Sequence, residues 1–156
     1  MTTQNAAVEA KRPRILLIED EPAFAGSYSA RARCFMYKGM KVRAHADLEA
    51  WGRLFRDEDA YKCELTKYDL WFGERERASS MIEAIISKVG KPYIWEVDIA
   101  DCYAILGEKD ECFRWIDKAI SAKRIYPSFL RYSPFYEKVR DDPRFSEIFK
   151  KLGLPY

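Results

Sequence analysis

Small and large apolar side chains recur along the chain in a pattern repeating every 34 residues, keyed to three glycines, Gly39, Gly73 and Gly107. Each glycine closes an aromatic stretch (CFMYKG, KYDLWFG and DCYAILG). Five residues after it stands a small side chain, Ala44, Ala78 or Cys112. Nine after stands a large aliphatic one, Leu48, Ile82 or Ile116, and twelve after come Trp51, Ile85 and Ala119. These offsets differ by four and by three, so the positions fall on one face of a helix. Seven residues before the glycines are Ala32, Thr66 and Ala100, small enough for two helices to approach closely. Four before are Phe35, Asp69 and Tyr103, so an aspartate breaks the apolar pattern in the middle unit.

The pattern predicts an all-α chain: three antiparallel helix pairs at residues 25–58, 59–92 and 93–126, each turning at its glycine, which accepts positive φ and ends a helix at little cost. One such hairpin cannot bury its apolar face, so neighbours must stack. Residues 1–24 form an extension ahead of the stack, and residues 127–156 close it with short helices. In that closing part Asp142-Pro143 reads as an N-cap followed by proline at the first helical position, and Ser133-Pro134 starts a shorter turn in the same way. Phe145, Ile148, Phe149 and Leu152 then recur at helical spacing before Gly153. In the extension, Ile15 to Ile18 are four consecutive aliphatic residues, which predicts that Arg14 to Phe24 is buried against the first helix pair or against a partner.

The segment ADCYAILGEKDECFRWIDKAI resembles a tetratricopeptide repeat (TPR), with Ala100, Tyr103, Gly107, Cys112, Ile116 and Ala119 at the motif positions. After it, FLRYSPFYEKVRDDPRFSEIFKKLGLP is similar to the segment that closes a bacterial group of such arrays. The motif's early tryptophan is replaced in all three units, by Tyr28, Lys62 and Glu96. The resemblance implies a short right-handed stack whose first helices line a groove for a partner protein. Groove residues would include Arg33, Lys67 and Asp101 at one equivalent position, with Ser29, Cys63 and Val97 one turn earlier. Met36, Leu70 and Ala104 would follow three residues later. Two basic groups with an acid at one end would suit a segment of mixed charge. TPR proteins that clamp a chaperone's terminal carboxylate use groove asparagines, and the one asparagine here is Asn5.

Composition removes other classes. The formal net charge is +2, with lysine and arginine spread along the chain, so no concentrated basic face points to nucleic acid or an anionic membrane. No apolar run approaches the roughly 20 residues that span a bilayer, and the first dozen residues lack the apolar core of a secretory signal. Cys34, Cys63, Cys102 and Cys112 show no metal-type spacing. His45, the single histidine, has no second candidate beside it for a hydrolytic triad. The carboxylate runs at Asp57-Glu58-Asp59, Asp110-Glu111 and Asp141-Asp142 suit helix starts better than a catalytic pair. No glycine-rich phosphate loop is present. A rival comes from RPRILLIEDEPAFA, which resembles the first strand of a response-regulator receiver domain with Glu19 and Asp20 as its magnesium-binding acids. That reading needs a parallel sheet through Leu16, Val42 and Leu70, and YDLWFGE offers Glu74 where the acceptor aspartate should stand. The expectation is therefore a cytoplasmic, non-enzymatic interaction scaffold, adaptor or complex subunit. It has no cofactor, catalytic residue or metal, no nucleic-acid partner and no membrane insertion.

Overall fold

The computed structural model describes residues 22–155, and every regular element among them is helical. In chain order they are α1 (Pro22–Tyr37), α2 (Lys41–Phe55), α3 (Glu58–Trp71), α4 (Arg75–Ile86), α5 (Glu96–Leu106), α6 (Lys109–Ser121), α7 (Pro127–Tyr132), a 3-10 turn (Pro134–Tyr136) and α8 (Pro143–Lys151). Helices α1 and α2, α3 and α4, and α5 and α6 pack as consecutive hairpins. Contacts of α3 with α1, α2 and α5 then stack the hairpins, and the 3-10 turn packs on α5. Val42 and Leu70, which the receiver reading places on strands, lie on α2 and α3. Glu19, Asp20 and the aliphatic run Ile15 to Ile18 lie outside the described residues, so the expected burial of that stretch does too. The backbone of residues 22–24 is already helical and belongs to α1 rather than to an extension.

The turn glycines adopt the left-handed conformation, with φ of +68° at Gly39, +90° at Gly73 and +83° at Gly107, a region that costs a side-chain-bearing residue about 1–2 kcal/mol. The small positions behind the turns are closed contacts: Ala44, Ala78, Cys112, Ala32, Thr66 and Ala100 are all fully buried. Leu48, Ile82 and Ile116 fill the space between the helices of each pair. Asp69, the apolar position that failed in the middle unit, is buried as well. Arg77 of α4 donates Nε to its Oδ2 at 2.8 Å and Nη2 to its Oδ1, so a guanidinium satisfies the charge that burial would otherwise penalise. Where α2 meets α3, Gly52 allows the approach: a Cβ there would lie 2.7 Å from the Tyr61 ring.

The closing segment follows its caps. The Asp142 carboxylate accepts from the backbone N–H of Arg144, Pro143 stands in the first turn of α8, and the Ser133 hydroxyl accepts from the N–H of Phe135. Buried Phe135, Tyr136, Val139, Phe145 and Phe149 cover the open side of the α5–α6 hairpin. The acidic runs take structural roles too: Asp57 caps α3, and Asp110 and Glu111 sit in the first turn of α6, where negative charge suits the helix dipole. Half-exposed His45 faces Glu49 one turn along α2.

Replacing Cys112 with Phe is expected to overpack the α5–α6 hairpin and lower stability by about 1–3 kcal/mol. Thermal melting checks it; a Cys112→Phe protein that melts with the wild type would show that this contact is not closed.

Candidate functional site

The first helices of the three hairpins are tied together by ion pairs that follow the 34-residue repeat. Glu64 and Asp98 are repeat equivalents, and so are Arg33, Lys67 and Asp101. Each cation reaches the acid of the next unit. Arg33 donates Nε to Glu64 Oε2 at 3.2 Å and Nη2 to Oε1 at 2.5 Å. Lys67 donates Nζ to Asp98 Oδ1 at 2.9 Å, and also to Glu64 Oε1 at 2.6 Å within its own helix. The other oxygen of Asp98 accepts from the backbone N–H of Trp95 at 2.9 Å, closing the start of α5. The third member of the cation position is an acid, Asp101, and its partner comes from the closing segment: the Tyr136 hydroxyl donates to Oδ1 at 2.6 Å.

Burial makes these charges interdependent. Lys67 is fully buried. Burial alone would lower its pKa, but Asp98 and Glu64 hold it well above the ordinary value. Burial would raise the Glu64 carboxyl, and Arg33 and Lys67 reverse this, holding it at about 2. Among the described residues Asp101 has no cation in direct contact; burial pushes it up to about 7, against the pull of Lys67. The Cys63 and Cys102 thiols are buried and pushed far up, chiefly by desolvation, which makes them poor nucleophiles.

Above this network lies a cleft of about 490 Å³, within the ordinary range for ligand sites. Its polar floor includes Arg33, Glu64, Asp98 and Asp101. Its walls are aromatic: Trp51 and Phe55 from α2, Tyr93 and Trp95 from the α4–α5 loop, Tyr126 from the α6–α7 loop and Phe129 from α7. Trp51 stacks on Phe55 with centroids 5.0 Å apart, and Tyr93 meets Phe55 edge-on at 4.6 Å. Arg33 lies 5.6 Å from the Phe129 ring. Tyr93 and Tyr126 form an exposed rim, 60% and 62% accessible. Tyr93 holds φ at +66°, an unfavourable conformation for an aromatic residue of the kind that gathers at functional sites. A second hollow, lined by Glu49, Gly52, Arg53, Arg56, Asp57, Glu58 and Tyr61, mixes both charge signs around one aromatic ring and lacks this organisation.

The groove residues expected from sequence divide accordingly. Ser29, Arg33, Val97 and Asp101 line the cleft. Cys63, Lys67, Met36 and Leu70 do not: all four are buried, as is Ala104. Met36 and Leu70 belong to the core because the first helices pack against one another along that face, and Lys67 is taken inward by its two carboxylates. Of the two basic groups and one acid expected there, Arg33 and Asp101 line the cleft and Lys67 does not. The aromatic walls were missed because they come from second helices and loops, outside the repeat register of the first helices. Among the described residues no group of three or more histidine, cysteine or acidic side chains is placed to hold a metal ion.

Two outcomes follow from the network. Lys67→Met leaves Asp98 without its cation and Glu64 with Arg33 alone, and should destabilise the fold by about 3–5 kcal/mol, read from denaturant unfolding; a loss below 1 kcal/mol would mean that the ladder is dispensable. For Asp101 the folded pKa is raised from 3.8 to about 7. Its contribution to stability is complete below about pH 3.8 and is lost as pH rises to about 7. Glu64, lowered from 4.5 to about 2, behaves oppositely and loses its contribution as pH falls from 4.5 towards 2. Asp101→Asn, which keeps an acceptor for Tyr136, should therefore flatten the fall in melting temperature between pH 4 and 7. Parallel curves for the two proteins would refute this assignment.

No protein-family model matches the chain, and no curated protein or solved structure is significantly similar to it, so the functional reading rests on this geometry.

Proposed function

We propose that this chain is a non-enzymatic interaction protein of the TPR type, a scaffold, adaptor or complex subunit, which holds a segment of another protein in the aromatic cleft. The observation that carries the reading is the cleft itself: six aromatic side chains around a floor whose polar groups are held by buried ion pairs. Aromatic rings on fixed backbone supply large contact areas at low entropic cost and dominate binding energy at interfaces. The floor is preorganised, so little ordering cost opposes association. A chemical role finds less support, because Arg33, Glu64 and Asp98 on the floor are committed to ion pairs and the described cysteines near it are buried with their thiol pKa values pushed up. No described helix is long and apolar enough to cross a membrane, and the partner is another protein rather than nucleic acid. The reading places the protein in the cytoplasm.

The test is affinity capture from the native cell with the full chain and with a Tyr93→Ala/Tyr126→Ala double variant. Both rings are exposed rim residues, so circular dichroism and melting should be unchanged. Proteins captured by the wild type should be depleted at least about tenfold by the variant, the scale of one strong contact. An identical captured set would remove the cleft from the interaction.

A further inference from the structure

The pairing of charges in the cleft floor selects its occupant. Glu64 and Asp98 match the two cations Arg33 and Lys67, and Asp101 is the floor carboxyl left without a cation partner among the described residues, so that an entering cation would favour its ionised form. Both cations are engaged by Glu64 and Asp98. Asp101 lines the cleft and is only 2% exposed; among the described residues its one hydrogen bond, from Tyr136, is to Oδ1. Trp95 and Tyr126 share the cleft lining with these acids, their centroids 6.2 Å apart and the planes tilted by 35°. Aromatic rings that share a hollow with a carboxyl lacking a cation partner favour an incoming cation, which gains from the ring quadrupole as well as from the carboxyl. Trp51, Phe55 and Tyr93 supply further aromatic surface in the same cleft.

We propose that the cleft binds a peptide segment presenting a lysine or arginine side chain between aliphatic neighbours, the cation directed to Asp98 and Asp101 and the aliphatic groups to Trp51, Phe55 and Tyr93. The inference rests on the cleft being a protein-binding site and specifies the chemistry of what enters it. The chemistry is opposite to that of a carboxylate-clamping groove, since the floor group that lacks an ionic partner among the described residues is a carboxyl.

Pools of synthetic nonapeptides test it, with flanking positions drawn from alanine, valine, leucine and isoleucine and the central residue fixed as lysine, arginine, norleucine or glutamate. Binding to the full chain is read by fluorescence anisotropy. The lysine and arginine pools should bind about tenfold more tightly than the norleucine pool, as expected for a partly desolvated cation over aromatic rings, and the glutamate pool more weakly still. Asp101→Asn should reduce the lysine-to-norleucine ratio without weakening the norleucine pool, and Tyr93→Ala/Tyr126→Ala should weaken all pools. Norleucine or glutamate binding as well as lysine would overturn the charge preference while leaving the cleft as a peptide site. If no pool binds, or if the double variant binds the lysine pool undiminished, the proposed occupant is wrong; the capture experiment then judges separately whether the cleft holds a protein at all.

Discussion

The ladder Arg33–Glu64–Lys67–Asp98 is the constraint on which the rest of the structure depends. Bringing four charges into a helical core carries a desolvation cost of several kcal/mol per ion, recovered only where geometry and hydrogen bonding are good. Here each cation reaches an acid 31 residues ahead, three fewer than the 34-residue repeat. The ladder therefore links neighbouring first helices with an offset of about one helical turn. A slip of one hairpin on the next by a turn would break the ion pair that joins their first helices. Apolar packing stabilises many such alignments to similar extents, whereas buried charge accepts few.

The end of the ladder explains how the stack is finished. At the third unit the position of Arg33 and Lys67 is held by an acid, and there is no fourth first helix to supply a partner. The closing segment supplies a neutral one instead. Tyr136 donates to Asp101, Lys138 donates to the carbonyl of Ile105 at 2.6 Å, and the aromatic residues of the 3-10 turn and α8 cover the remaining apolar face. Because a phenol rather than a cation meets Asp101, burial dominates its titration. Among the described residues, this leaves a carboxyl without a cation partner at one end of the cleft. The same substitution that ends the repeat thus gives the cleft its polarity.

The cleft also depends on irregular backbone. Part of its wall is mounted on the α4–α5 and α6–α7 connections: Gly90 and Pro92 interrupt helix in the first, where Tyr93 is held at positive φ, and Pro127 starts α7 after the second. Loops on a rigid helical frame are where recognition residues commonly sit. The frame below them is stiffened by buried ion pairs and by the Tyr37, Trp71 and Phe135 rings, whose centroids lie 5.3–5.6 Å apart.

By itself the sequence determined the helical hairpins, because their signals are local. Glycines at a fixed period, small residues at fixed offsets, and Asp-Pro or Ser-Pro caps each act within a few residues of where they stand. It also placed Ser29, Arg33, Val97 and Asp101 on one face of the first helices, the face that borders the cleft, since helical phase follows from spacing. The tertiary structure alone decided which members of that face reach a ligand. Lys67 and Arg33 occupy equivalent positions, yet Lys67 is buried between Glu64 and Asp98 while Arg33 remains partly open above Glu64. That difference arises from how many neighbours each helix has, which no local pattern encodes. The aromatic walls were beyond sequence reading for the same reason. Trp51, Tyr93, Trp95 and Tyr126 share no period, and they meet only because stacking three hairpins brings two loops and the end of α2 to one side of the first helices.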